Sequence, residues 1–366
     1  MMAGNRNINF HQLVSLFMLS SGLMDHVIVI PFLLGISGRN GWLSVVAVGL
    51  LLSCWLPVMS YVMKKTNMQP VFGWIEQKYG RPLSLLIAVP VFLYLFAFGT
   101  VTIVDTVGWV NSIFLPETPV WFVTLLLMGV CVWVAHSGIE AIARCCIFLL
   151  PLVVMFGIFV GVVNTSRKRY DLLLPVLGEG IAPVLHGMFI AGGGLIEVTL
   201  IVLMQHHLSR KPKFPQLLLV LWLLVGLTVG PYVGAVAEFG PEEAAHLRYP
   251  AYEEWRLVRI GHYVEHVDFL SIFQWLTGAF IRVSLALFLL KDLIWNYIFP
   301  KHNAKIGVVL LAVLMSAFIL LPITDKAFVA ILSRWYFTGA LTVLLLFSLG
   351  MLLLAWFAKP ERSRAR

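Results

Sequence analysis

Ten apolar runs, each long enough to cross a bilayer, make up most of this 366-residue chain. They lie at about 10–36, 41–63, 83–112, 119–137, 143–163, 181–208, 214–239, 267–298, 304–322 and 334–357. A helix needs roughly 20 apolar residues to span the hydrocarbon core. Only helices and closed barrels satisfy the backbone at that depth. A barrel would show alternating segments of about 10 residues, whereas these runs are continuous. The chain reads as an all-α polytopic membrane protein, with residues 1–366 forming a single integral domain. Charged residues are 12% of the total, against roughly a quarter in soluble domains.

The net charge of +8 elsewhere suggests nucleic acid. Here the cations sit in short loops, where they report topology, and no nucleic-acid partner is expected. With both termini inside, the cytoplasmic side collects the larger share, including Lys64, Lys65, Arg210, Lys211, Lys213 and the tail at 358–366. Arg167, Lys168 and Arg169 run against that bias. The first run outlasts a signal h-region and lacks a small-x-small cleavage site, so it is expected to remain a span. Cys54, Cys131, Cys145 and Cys146 show no zinc spacing or disulfide framework. Walker, H-E-x-x-H and G-x-S-x-G patterns are missing. No catalytic residue, metal or cofactor is assigned, and the chain is not expected to be an enzyme.

The sixth run contains Gly192-Gly193-Gly194-Leu195-Ile196-Glu197 at its centre. Each glycine weakens a helix by about 1 kcal/mol relative to alanine. One reading is a helix opened at mid-membrane to hold a ligand or ion; the other is a seam of small residues where two helices pack closely. The first run has Ser20-Ser21-Gly22-Leu23-Met24-Asp25 at its centre, the same order of small residues, two apolar residues and an acid. If the first five runs correspond to the second five, these stretches correspond too. An odd number of spans per repeat inverts the second half. The expected plan is a 5+5 inverted repeat, about 10–163 and 181–357, with discontinuous helices 1 and 6.

A broken helix frees N–H groups at one cut end and C=O groups at the other. An amino acid zwitterion is matched at both ends by such a pair. Its carboxylate would sit near Gly22 and Gly193, and its ammonium near carbonyls or an acid. The candidate ligand-binding residues are Ser21, Gly22, Asp25, Thr102, Asp105, Gly192, Gly193, Gly194 and Glu197. The competing role for Asp25 and Glu197 is to cap their own second half-helices.

Other intramembrane ionisable groups need partners. Arg282 is expected to pair with Asp268, Glu238 or Asp105, or to snorkel. His26 reads as a neutral core histidine or a proton relay, and Lys291 and Asp292 read as interfacial. The loop 64–81 is expected along the cytoplasmic interface. The loop 240–266, with Tyr249, Tyr252, Trp255 and Tyr263, is expected as an amphipathic segment in the opposite interface.

Ten spans, an interrupted first span and a sixth span whose glycine run is followed by Glu197 resemble the amino acid–polyamine–organocation permeases. The stretch Tyr249-Pro250 to Gly261, followed by Glu265, His266 and Asp268, is similar to their endospore germination permease branch, the GerAB-like B subunit of germinant receptors. His266 stands where that branch usually has arginine, and Asp25-His26 is more polar than its usual first span. The resemblance implies a LeuT-like fold and a nutrient-sensing subunit in the spore inner membrane. It implies partnership with A and C receptor subunits and membrane lipid, and binding of an amino acid or similar small germinant. The alternative is an ion-coupled secondary transporter of amino acids or amines.

Overall fold

The structure, a computed structural model, describes residues 8–259, 266–298 and 304–358. Arg6, Tyr263, Glu265, Lys301 and the tail from 359 lie outside the described residues. The fold is built from α1 (Phe10–Leu23), α2 (Val29–Ser37), α3 (Gly41–Lys65), α4 (Val71–Tyr79), α5 (Arg81–Ile113), α6 (Val120–Ser137), α7 (Ile139–Val163) and α8 (Ala182–Leu195). It continues through α9 (Leu200–Leu203), α10 (Phe214–Phe239), α11 (Pro241–Ala244), α12 (Pro250–Arg256), α13 (Leu270–Leu293), α14 (Ala304–Ala317), α15 (Asp325–Ile331) and α16 (Phe337–Phe357).

Among the described residues, eight helical segments are long and apolar enough to cross a membrane. The first covers 56 residues, Phe10–Lys65, about 84 Å if straight at 1.5 Å per residue. It holds the first two predicted runs and turns at Gly38, whose φ of +51° is a backbone setting that glycine adopts without penalty. A shorter apolar helix, Lys305–Leu320, occupies the ninth predicted run. The protein is an integral, multi-pass membrane protein.

Burial divides the helices into a core and a rim. The segments Ala182–Leu203 and Leu270–Tyr297 are 78% and 72% buried over their most apolar windows, whereas Ile139–Arg167 is 11% buried. The two more buried segments carry the buried polar residues Glu197, Thr199, Arg282 and Ser284, and Asp25 of the first membrane segment is buried with them. The rim helices present Phe148, Ile158, Trp133 and Trp335 outward, as lipid-facing surfaces do.

Helices 1 and 6 are interrupted where expected, but by a change of pitch. The first passes from α1 through a π-helical turn at Met24–Ile28 into α2. The sixth stays α-helical through all three glycines and tightens to a 3-10 turn at Ile196–Thr199 before α9. The expectation of open backbone at Gly22 and Gly193 is therefore corrected. The N–H groups there belong to continuous helix and are not free to bind a carboxylate. The glycines instead form the close-packed seam. A Cβ on Gly193 would lie 2.6 Å from the Phe337 carbonyl oxygen, and one on Gly192 would touch Leu341 at 3.2 Å. A Cβ on Gly194 would collide with the Asp25 carboxylate.

The two long loops also fold inward. In α4, Val71, Phe72, Trp74 and Ile75 are buried against the core. In the loop 240–266, Tyr252 and Trp255 are buried. Trp109 stacks on Trp275 at 3.9 Å, and both rings meet the edge of Tyr249. These aromatics pack inward against the long helices at one end of the bundle. Helix geometry decides this, because α11 and α12 are too short to present a continuous apolar stripe and each aromatic seats in a gap between long helices.

Candidate functional site

The centre of the bundle is organised by Arg282 of α13, which is fully buried. Its Nη1 donates to Glu197 Oε2 at 2.6 Å and its Nη2 donates to Glu197 Oε1 at 2.6 Å, a bidentate pair. Nε donates to Thr102 Oγ1 at 2.9 Å, and Nη1 also reaches the Ser20 carbonyl at 3.2 Å. Tyr336 Oη accepts from Nη2 at 3.4 Å, and the guanidinium lies 3.5 Å from the centre of the Phe98 ring. Tyr94 Oη donates to Glu197 Oε1 at 3.3 Å. Arg282 is thus held by charge, hydrogen bonds and an aromatic face, the combination a planar guanidinium suits.

Five membrane segments meet at this one side chain. Ser20 comes from the first, Thr102 and Phe98 from the third, Glu197 from the sixth, Arg282 from the eighth and Tyr336 from the last. A buried pair of this kind repays the desolvation of both ions only when its remaining donors and acceptors are satisfied, and here most are.

Asp25 differs. It is fully buried within electrostatic reach of Glu197 and Arg282, yet among the described residues neither carboxylate oxygen has a hydrogen-bond partner. Ser21, four residues earlier on the same helix, also has a buried hydroxyl without a partner. Unpartnered buried carboxylates are rare and expensive. Neither Asp25 nor Glu197 caps a half-helix: Glu197 is spent on Arg282, and the carboxylate of Asp25 packs against Gly194.

Compared with known proteins, the chain matches a family described as spore germination protein over residues 7–328. It is 38% identical to spore germination protein XB of Bacillus anthracis, over 97% of this chain and 99% of that one. Spore germination protein KB of Bacillus subtilis (strain 168) is 25% identical, over 69% of each chain. The chain belongs to the spore germination permease family. Among solved structures, MhsT in complex with L-phenylalanine superposes with a TM-score of 0.60 at 13% identity, over 93% of this chain and 94% of that one. Inward-facing Mhp1 gives 0.57 at 16% identity, over 96% and 77%. The permease thus has the LeuT-type transporter fold.

Of the predicted site residues, Ser21, Asp25, Thr102, Gly194 and Glu197 fall at or beside the Arg282 cluster. Gly192 and Gly193 face α16. Gly22 borders a cavity of about 580 Å³ lined by α1, α7, α10, α12 and α13. His26 borders the same cavity, its Nδ1 lying 3.2 Å from the Leu227 carbonyl oxygen. Asp105 is not part of the cluster. Its Oδ1 accepts from Arg248 Nη2 at 2.7 Å, and Arg248 Nε also reaches Asp325 at 3.3 Å.

Burial opposes the charge of Arg248, but Asp105, Tyr249 and Asp325 around it together outweigh that and raise the arginine's pKa. Nearby in the same loop, burial lifts the Glu254 carboxyl well above the usual carboxylate range, with Glu238 adding to the effect. Arg248→Ala in the permease should cost about 1–2 kcal/mol, because Asp105 stays buried without its donor. Unfolding in mixed detergent micelles reads this directly, and Asp105→Asn in the same background should restore part of the loss.

The acid on Arg282 is Glu197 and not Asp268, Glu238 or Asp105. Asp268 accepts from Tyr252 Oη at 3.0 Å, and Glu238 lies 3.4 Å from Lys168. Tyr94, Phe98 and Tyr336 were not foreseen at all, since an aromatic in an apolar run carries no signal of its own. The Glu197–Arg282 pairing did leave a trace: both residues lie near the centres of their runs, as does Asp25, whereas Asp105 lies in the outer half of its run and Glu238 and Asp268 lie at run ends. Matching charges by depth narrows the partner of Arg282 to Asp25 or Glu197, and only the fold chooses between them.

Proposed function

We propose that this permease is a nutrient-sensing subunit of a spore germinant receptor, binding an amino acid or similar small germinant at the Asp25–Glu197–Arg282 core. The observation that carries the reading is Asp25, a fully buried carboxylate with two unsatisfied oxygens beside a saturated ion pair. A ligand ammonium supplies the donors that Asp25 lacks. A ligand carboxylate is of the right class to compete with Glu197 for the guanidinium of Arg282, which links binding to rearrangement of helices 1, 6 and 8. MhsT, which shares this fold, is solved in complex with L-phenylalanine, and that supports an amino acid as ligand. Assembly with A and C subunits, and termini on the cytoplasmic face, complete the proposal.

The same carboxylate supports a second reading, in which Asp25 carries a proton or cation for coupled transport. Thermal unfolding of the purified chain against a panel of amino acids tests the first reading, since a ligand of the folded state raises the melting temperature by mass action. One amino acid should stabilise the wild type and lose at least about tenfold in affinity with Asp25→Asn. An amino acid that stabilises both forms equally places the site elsewhere. Concentrative, gradient-driven uptake into proteoliposomes by this chain alone establishes the transporter reading instead.

A further inference from the structure

The 3-10 turn Gln205–His207 ends the sixth membrane segment, at the opposite end of the core from α12. Adjacent histidines on an α-helix point about 100° apart, yet here the two rings lie 3.9 Å centre to centre. Both converge on Asp292 of α13: His206 Nε2 lies 3.0 Å from Asp292 Oδ2, and His207 Nε2 lies 3.8 Å from it. One ligand atom from each of the three residues falls within 4.8 Å of the others. All three side chains are at most 18% exposed.

The surroundings are those of a built site. Asn296 Nδ2 donates to the other carboxylate oxygen of Asp292 at 2.5 Å, the kind of outer contact that orients a metal-ligating carboxylate. Gln205 pins the turn, its Nε2 donating to Thr66 Oγ1 at 2.9 Å and to the Gln69 carbonyl at 2.6 Å. The His207 carbonyl accepts from the Ile8 N–H at 3.0 Å. His207 Nε2 is buried and, among the described residues, has no hydrogen-bond partner. A cavity of about 20 Å³, bordered by His206, Asp292, Leu203 and Tyr297, has room for one water-sized occupant.

We propose that His206, His207 and Asp292 bind one divalent transition-metal ion of the zinc class. Two imidazoles and a carboxylate, with a fourth position open, form a familiar donor set for such an ion. Bonds of about 2.0–2.1 Å bring ligand atoms to roughly 3.3 Å apart, a small contraction of the spacing already present. The ion ties the end of the sixth segment to α13. Glu197 and Arg282 lie nine and ten residues earlier on these same two elements, some 14–15 Å away at helical rise. The metal therefore fixes the separation of the two elements that carry the core ion pair. This inference concerns metal binding and stands apart from the identity of any germinant.

The test uses the full chain, purified in detergent without a polyhistidine tag and stripped with a chelator. Cobalt(II) should bind at one equivalent with visible ligand-field absorption and be displaced by zinc(II), and zinc should raise the melting temperature. Asn296→Ala should weaken binding about tenfold. Asp292→Asn and the His206→Gln/His207→Gln pair should abolish the cobalt spectrum. Should the double variant fail to fold, the nearly isosteric Asp292→Asn carries the comparison. Lack of saturable cobalt binding by the wild type, or an unchanged spectrum in Asp292→Asn, overturns the proposal.

Discussion

Arg282→Met is expected to destabilise the protein by about 3–5 kcal/mol, the range for removing one partner of a buried ion pair. The substitution keeps an unbranched side chain of similar length but withdraws both guanidinium donors from Glu197, which is itself fully buried. Among the described residues, Tyr94 Oη, at 3.3 Å, is then the donor left on that carboxylate. Desolvation of a lone ion costs more than the lost attraction alone, so the effect should exceed that of Glu197→Gln, which leaves a neutral amide able to hydrogen-bond the guanidinium. Adding Glu197→Gln to Arg282→Met should recover much of the loss, because the pair then contains no charge. Titrated unfolding in mixed micelles of all four proteins closes a double-mutant cycle. A coupling energy near zero would mean that the two side chains do not interact in the folded protein.

The second large effect concerns Gly193. On helix propensity alone, glycine to alanine should stabilise a helix by up to about 1 kcal/mol. At Gly193 the sign should reverse, to a loss of about 1–3 kcal/mol. Its added methyl would fall 2.6 Å from the carbonyl oxygen and 2.7 Å from the Cα of Phe337, and the backbone of α16 cannot yield without moving the helix. Gly192→Ala is the internal control. Its methyl meets only the flexible end of Leu341, at 3.2 Å, so the change there should stay below about 1 kcal/mol. Equal responses at the two positions would show that the seam is looser than its geometry implies.

These two results bear on what the site is. The glycine run and Glu197 stand out in the sequence as a pointer to a broken helix, and the pitch does change beside them. Yet the glycines serve the approach of α16 and of the Asp25 carboxylate. The exchange of roles has a simple cause: a glycine run lowers the cost of opening a helix and of packing against one by the same absence of Cβ. Only the position of Phe337 and Asp25 distinguishes the two.

Local and one-dimensional properties were legible without the fold. Run lengths and hydropathy determined the membrane class, because the bilayer dictates how many apolar residues a helix needs. The matching centres of the first and sixth runs marked where their helices would change pitch, since helix propensity is a local quantity. Asp25, Thr102 and Glu197 were recognisable as core polar residues because charge and polarity at mid-membrane depth demand a reason. Tertiary structure alone decided who meets whom. Glu197 and Arg282 are 85 positions apart, Asp105 and Arg248 are 143, and His207 finds Asp292 from a different helix. Such pairings depend on how helices of similar hydrophobicity rotate and rank around one another, which sequence composition does not encode and close packing does.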